Sequence, residues 1–242
     1  MDSFEAGKAT GQANDTGERG AIMLIDTLGV KPPQGAVVLF DGTSLEGWTK
    51  MDGSPVEWMV KDGVIEVVPR TGDICTKERF TDHFLHLEFR LSDMPDATGQ
   101  QKANSGVFVQ GRYEIQVLDS SGWDIPGLGD CGAIYNQYAP LTNACKPALD
   151  WQTYDVIFRA PRCEGKVVKE NARVTVLQNG VVIHNNVELP GVTGAPTDLE
   201  VQLPGHLRLQ DHGNVIWYRN IWAAPLPKEG AVEYPPRMRS EK

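Results

Sequence analysis

The sequence predicts an all-β chain folded as a sandwich of two antiparallel sheets, on three observations. Apolar runs are short and tend to alternate with polar residues, turn residues separate them, and hardly any window carries a helical period. Turn formers are plentiful, with 25 glycines and 16 prolines in 242 residues and no repeat, which excludes collagen and favours many turns over long helices. About a dozen strands without helical crossovers can bury their dry faces only by stacking two sheets or closing a barrel, and the sandwich is the expectation.

Along the chain, residues 1–35 are mostly small and polar with one apolar patch at 21–28, and read as an N-terminal tail or docking arm. A β-sandwich domain is expected over 36–227 and a C-terminal tail over 228–242. Strand-like runs fall at 37–40, 58–60, 64–68, 84–91, 107–109 and 113–118, then at 153–159, 173–177, 181–184, 207–210 and 215–222. In 84–91, Leu85, Leu87, Phe89 and Leu91 alternate with His86, Glu88 and Arg90, so one dry and one wet face are expected. Asn179-Gly180, between two such runs, is the signal of a type I′ hairpin, and Asp62-Gly63 is a similar junction.

The 32 acidic and 23 basic residues leave a formal charge of −9, which repels phosphate backbones and argues against nucleic acid or an anionic membrane as partner. No stretch approaches the roughly 18 consecutive apolar residues of a membrane span. Residues 1–35 hold no cationic segment followed by an apolar one, which leaves a cytosolic protein and a processed, exported one both open. Cys75, Cys131, Cys145 and Cys163 lack CxxC spacing or a paired histidine cluster, against a structural zinc site. A Cys131–Cys145 disulfide and buried free thiols stand as equal alternatives.

The chemistry concentrates in two rows. In 112–119, alternation puts Glu114, Gln116 and Leu118 on one face, and Asp119 joins them only if a β-bulge after Gln116 absorbs one residue. Two carboxylates on one sheet face are minimal equipment for acid and base work on a sugar; a solvated edge-strand face is the plainer alternative. In 207–213, Arg208, Gln210 and His212 oppose Leu207 and Leu209, combining a planar donor fork, an amide and a group that titrates near neutrality. Asn104-Ser105-Gly106 and Tyr135-Asn136 add neutral polar groups beside β runs.

These segments, together with Leu39-Phe40-Asp41-Gly42, Gly47-Trp48, Gly132-Ala133-Ile134-Tyr135 and Arg219-Asn220-Ile221, resemble the 3-keto-disaccharide hydrolase domain family over about residues 36–226. The resemblance implies a concanavalin A-like lectin/glucanase jelly-roll, distantly similar to laminarinase-type glycoside hydrolases, acting on glycosides oxidised to a ketone at carbon 3. It also implies a bacterial protein placed outside the cell or in the periplasm, its signal peptide removed. Laminarinase-type enzymes carry Glu-x-Asp-x-x-Glu on a bulged strand; here Glu114 matches the first carboxylate, Gln116 replaces the middle Asp and Asp119 replaces the last Glu. A neutral Gln cannot tune a neighbouring carboxylate by charge, so elimination next to the ketone is an attractive alternative to double displacement.

The expectation is therefore a hydrolase or lyase of 3-keto-disaccharides with Glu114, Asp119 and His212 as acid and base groups. Asn104, Gln116, Tyr135, Asn136, Arg208 and Gln210 are expected to hold a carbohydrate substrate. No cofactor is certain; a divalent metal on Glu114, Asp119 and His212 is an option, although their spacing matches no standard motif. The alternative function is a non-catalytic carbohydrate-binding module, in which Trp48, Trp123, Trp151 or Tyr135 stacks on sugar rings.

Overall fold

A computed structural model of the chain describes residues 26–227; most of the expected N-terminal tail, 1–25, and all of the expected C-terminal tail, 228–242, lie outside the described residues. Fifteen strands and one 3₁₀ turn, Gly99–Gln101, make up the fold among those residues. They are β1 Val37–Phe40, β2 Trp48–Lys50, β3 Met59–Lys61, β4 Val64–Glu66, β5 Ile74–Phe80, β6 His83–Leu91, β7 Asn104–Val109 and β8 Tyr113–Leu118. Then follow β9 Trp151–Arg159, β10 Arg162–Glu164, β11 Val167–Glu170, β12 Ala172–Gln178, β13 Val181–Leu189, β14 Gly205–Leu209 and β15 Ile216–Pro225.

Two antiparallel sheets form the sandwich. The larger runs β13-β12-β9-β6-β15-β4-β3, with β1 added on β15, and the smaller runs β2-β5-β14-β7-β8; β10 and β11 form a separate ribbon. The fold is thus the expected all-β jelly-roll sandwich. Leu85, Leu87 and Phe89 of β6 and Tyr154, Val156 and Phe158 of β9 meet Val107, Ile115, Val117, Leu207 and Leu209 of the smaller sheet in one core. Both anticipated hairpins are present: Asn179 and Gly180, and Asp62 and Gly63, all have positive φ, as a two-residue type I′ turn requires. The strands β2, β5, β10 and β11 were absent from the sequence expectation. In β5 the run Lys77-Glu78-Arg79 looks like a loop, and it sits where the β5–β14 register shifts between His206 and Arg208.

The expected wet face of β6 is not wet. His86 and Glu88 are fully buried, because residues 27–30 lie across them and supply hydrogen bonds. The Gly29 N–H donates to Glu88 Oε1 at 2.6 Å, and Asn220 Nδ2, itself 2.9 Å from that oxygen, donates to the Val30 carbonyl. Cys75, Cys131, Cys145 and Cys163 are free thiols; Cys131 Sγ instead lies 3.2 Å from Tyr154 Oη and accepts from Gln178 Nε2 at 3.3 Å. No helix among the described residues is long and apolar enough to cross a membrane.

Candidate active site

Because Ile115, Val117, Val107, Leu207 and Leu209 face the core, their strand neighbours project from the opposite face of the smaller sheet. Register then builds rungs across four strands. Cys75 of β5, Arg208 of β14, Phe108 of β7 and Glu114 of β8 are successive partners, and the next rung holds Gly106 and Gln116. The Gln210 N–H donates to the Gly106 carbonyl at 3.0 Å, which extends that second rung beyond the end of β14.

A cavity of about 170 Å³ opens over these rungs, lined by Gln100, Asn104, Glu114, Gln116, Tyr135, Gly194, Ala195, Gln210 and His212. Six of the nine site residues expected from the sequence therefore share one wall. Tyr135 is positioned by its N–H, which donates to the Glu114 carbonyl at 3.2 Å, and the 131–135 segment covers the β8 edge through the Gln116 N–H to Ala133 bond. Thr193 covers the same edge, its hydroxyl accepting from the Glu114 N–H at 2.9 Å. Asp73 and Asp211 clamp the approach of the His212 loop: Asp73 Oδ1 accepts from the Asp211 N–H and Asp211 Oδ2 from the Gly72 N–H, both at 2.9 Å. His212 stands exposed at the rim.

Glu114 is the chemically distinctive group. It is 4% exposed, and no ion pair among the described residues involves it. Burial pushes its carboxyl up to about 7; the Arg208 charge pulls the other way and the Asp73 charge adds to the rise. Turned nitrogen-first, the Gln116 amide donates to Glu114 Oε1 at 3.3 Å and to the Ser105 carbonyl at 3.1 Å.

Several expectations are corrected by the geometry. The bulge is absent: β7 and β8 pair without interruption from Asn104↔Leu118 to Val109↔Tyr113. Asp119 therefore keeps the parity of Ile115 and Val117, and its carboxylate is held by Lys102 Nζ at 2.7 Å and the Ser121 hydroxyl at 2.9 Å, outside the cavity lining. With Asp119 elsewhere, Glu114, Asp119 and His212 do not converge as a ligand set, and no cluster of three metal-ligating side chains occurs among the described residues. Asn136 is exposed, with a left-handed φ of 57°, in the turn closed by the Gln137 N–H to Ile134 bond, and does not line the cavity. Arg208 occupies Glu114's own rung but beyond Phe108, with its guanidinium 3.5 Å over that ring, Nη2 donating to the Ala195 carbonyl at 2.8 Å and Nε 3.4 Å from Asp73 Oδ2. It acts on Glu114 by charge and sits outside the cavity wall. Of the tryptophans considered for stacking, Trp48 is a core anchor whose indole N–H donates to the Leu39 carbonyl.

The sequence reading missed Gln100, Gly194 and Ala195. Gln100 reaches the cavity from the 3₁₀ turn, tied by Nε2 to the Gly129 carbonyl at 2.8 Å and by its own carbonyl to Asn104 Nδ2 at 2.7 Å. The run Gly191-Val192-Thr193-Gly194-Ala195-Pro196 reads as a plain turn, and no local signal ties it to a strand some 80 residues earlier.

Comparison with known proteins agrees with this architecture. A candidate glycosyl hydrolase from Parabacteroides distasonis is 38% identical, with a TM-score of 0.75 over 81% of this chain and 86% of that one. A second from the same organism is 21% identical, with a TM-score of 0.58, and shares the fold. The 3-keto-disaccharide hydrolase of Bacteroides thetaiotaomicron is 24% identical over 77% of each chain. The protein is of glycosyl-hydrolase type, and, with the family model matching residues 35–224, it belongs to the 3-keto-alpha-glucoside-1,2-lyase-like domain family.

Proposed function

We propose that the protein cleaves the glycosidic bond of 3-keto-glycosides, 3-keto-disaccharides among them, by elimination across carbons 1 and 2 followed by addition of water. The observation that carries this reading is Glu114, a buried carboxyl in a cavity of neutral amides whose proton affinity is raised to about 7. A base poised near the working pH combines a useful ionised fraction with real driving force for proton abstraction. The ketone at carbon 3 acidifies the hydrogen on carbon 2. Glu114 takes that hydrogen as a proton, and its bonding pair moves towards carbon 3 to form an enolate. Asn104, Gln116 and Gln210 carry amide N–H groups suited to the enolate oxygen, where preorganised donors stabilise the charge as it appears. The enolate then collapses to a double bond between carbons 1 and 2, and the carbon 1 substituent leaves with its bonding pair and collects a proton, for which His212 at the rim is the candidate donor. Water adds at carbon 1 while carbon 2 regains a proton, so the net change is hydrolysis.

The test is turnover of 3-keto-trehalose against trehalose in D₂O. The expected result is cleavage of the keto-sugar alone, with deuterium at carbon 2 of the released 3-keto-glucose at the first time point. Equal cleavage of trehalose overturns the keto-based reading. Keto-sugar cleavage without deuterium at carbon 2 overturns the elimination, and binding without product marks a carbohydrate-binding module.

A further inference from the structure

We propose that Gly106 is a positioning residue: the space left by its missing side chain is the seat of the Glu114 carboxyl group and of the Phe108 ring that carries Arg208. Gly106 lies inside β7, opposite Gln116, and its φ is not in the left-handed region that would call for glycine. Glycine in a strand interior weakens the strand, so a conformationally ordinary one needs another reason. The reason is steric. A Cβ built on Gly106 falls 2.9 Å from Phe108 Cε2 and 3.1 Å from Glu114 Cδ, and closer still to Glu114 Oε1. Phe108 and Glu114 are cross-strand partners on the adjoining rung, and both lean diagonally over the bare backbone of Gly106 rather than standing up from the sheet. The Arg208 guanidinium rests on that ring, 3.5 Å from its centre. One absent methyl group thus lets the carboxyl lie down into the floor of the cavity, out of water, and fixes the aromatic plate between it and its nearest cation. No alternative seat on the rung is open, because Gln116 occupies the position across from Gly106 and Arg208 the one beyond Phe108.

The inference rests on Glu114 being the working base, and its test is arranged so that the two can fail separately. In Gly106→Ala the new methyl group pushes the carboxyl up towards solvent. With 3-keto-trehalose, kcat is expected to fall about 100-fold, the size of effect that a misplacement of around 1 Å produces, while KM changes little. The acid limb of the kcat/KM profile is expected to move to lower pH as the carboxyl regains water. A Glu114→Asp change, one methylene shorter, is expected to lose activity alone but to restore part of it in the Gly106→Ala background, a coupling that a merely weakened strand does not produce. Carbon-13 NMR titration of the glutamate carboxyl groups, assigned with Glu114→Gln, reads the same displacement without any substrate, and so stands even if the wild type proves inactive on keto-sugars. Wild-type kcat with an unmoved acid limb in Gly106→Ala overturns the proposal. If Gly106→Ala does not fold, recovery of folding in Gly106→Ala/Glu114→Asp supports the seat, and failure of that pair as well overturns it, since the glycine then serves the sheet.

Discussion

Glu88 on β6 and Glu114 on β8 occupy equivalent stations, each buried on the face that its sheet turns away from the core, and their surroundings are opposite. Burial acts to raise both. Around Glu88 it is outweighed by contacts with His86, Asn220 at 2.9 Å, Arg219 at 2.6 Å and the Gly29 N–H at 2.6 Å, which hold the carboxyl down at about 2. His86 is itself fixed by Asp155 at 2.7 Å, and Arg219 pairs with Glu88 at 2.6 Å, so the charges in contact with Glu88 are matched. Around Glu114 the nearest cation is turned to Asp73 and Ala195 and laid on Phe108, and burial prevails. The difference separates structure from chemistry: a carboxylate saturated with donors stabilises the fold and has no proton affinity to offer, whereas one left to desolvation costs stability and is ready to accept a proton.

That contrast can be broken at either end. Glu88→Gln is expected to destabilise the protein by about 2–3 kcal/mol, because it takes the carboxylate partner from the half-buried Arg219 and the charge from the bonds to Gly29 and Asn220; urea unfolding at pH 7 measures it, and a change under about 1 kcal/mol would remove the structural role. Glu114→Gln is expected to lower turnover of the 3-keto substrate about 100-fold, near the low end of a general base's contribution. The same variant is expected to be more stable than wild type at pH 8, by up to about 3 kcal/mol for a carboxyl displaced from 4.5 to about 7. The signs fix the windows. The Glu88 contribution is present above its unfolded value of 4.5 and is lost as the pH falls from there towards 2; the Glu114 cost is absent below 4.5 and grows as the pH rises to 7. Unfolding free energies across pH 3–8 should therefore flatten on the acid side in Glu88→Gln and on the neutral side in Glu114→Gln. Smallest is Asp119→Asn, which breaks the Lys102 pair outside the cavity and should leave kcat within about threefold; a 100-fold loss would return Asp119 to the chemistry.

Much of this was legible in the sequence where period two applies. Alternation in 113–118 and 207–210 separates Ile115, Val117, Leu207 and Leu209 from Glu114, Gln116 and Arg208, and the sheet lays those rows side by side. The same reasoning failed for β6, since alternation says which residues leave the core but not whether another segment covers them, and residues 27–30 do. Asp119 was drawn into the site by a bulge that face parity with Glu114 would have required, while the irregularity next to the site lies in β5–β14 instead. Gln100, Gly194 and Ala195 enter through long-range loop contacts that carry no local period.

The most direct test of the contrast is a carbon-13 NMR titration of the glutamate carboxyl groups in the intact wild-type protein, with Glu114→Gln and Glu88→Gln as assignments. The expected result is one resonance with a midpoint near 7 that vanishes in Glu114→Gln, beside one that stays ionised down to about 2 and vanishes in Glu88→Gln. A Glu114 midpoint at the ordinary 4.5 would contradict the account, because the carboxyl would then carry no more proton affinity than one in water.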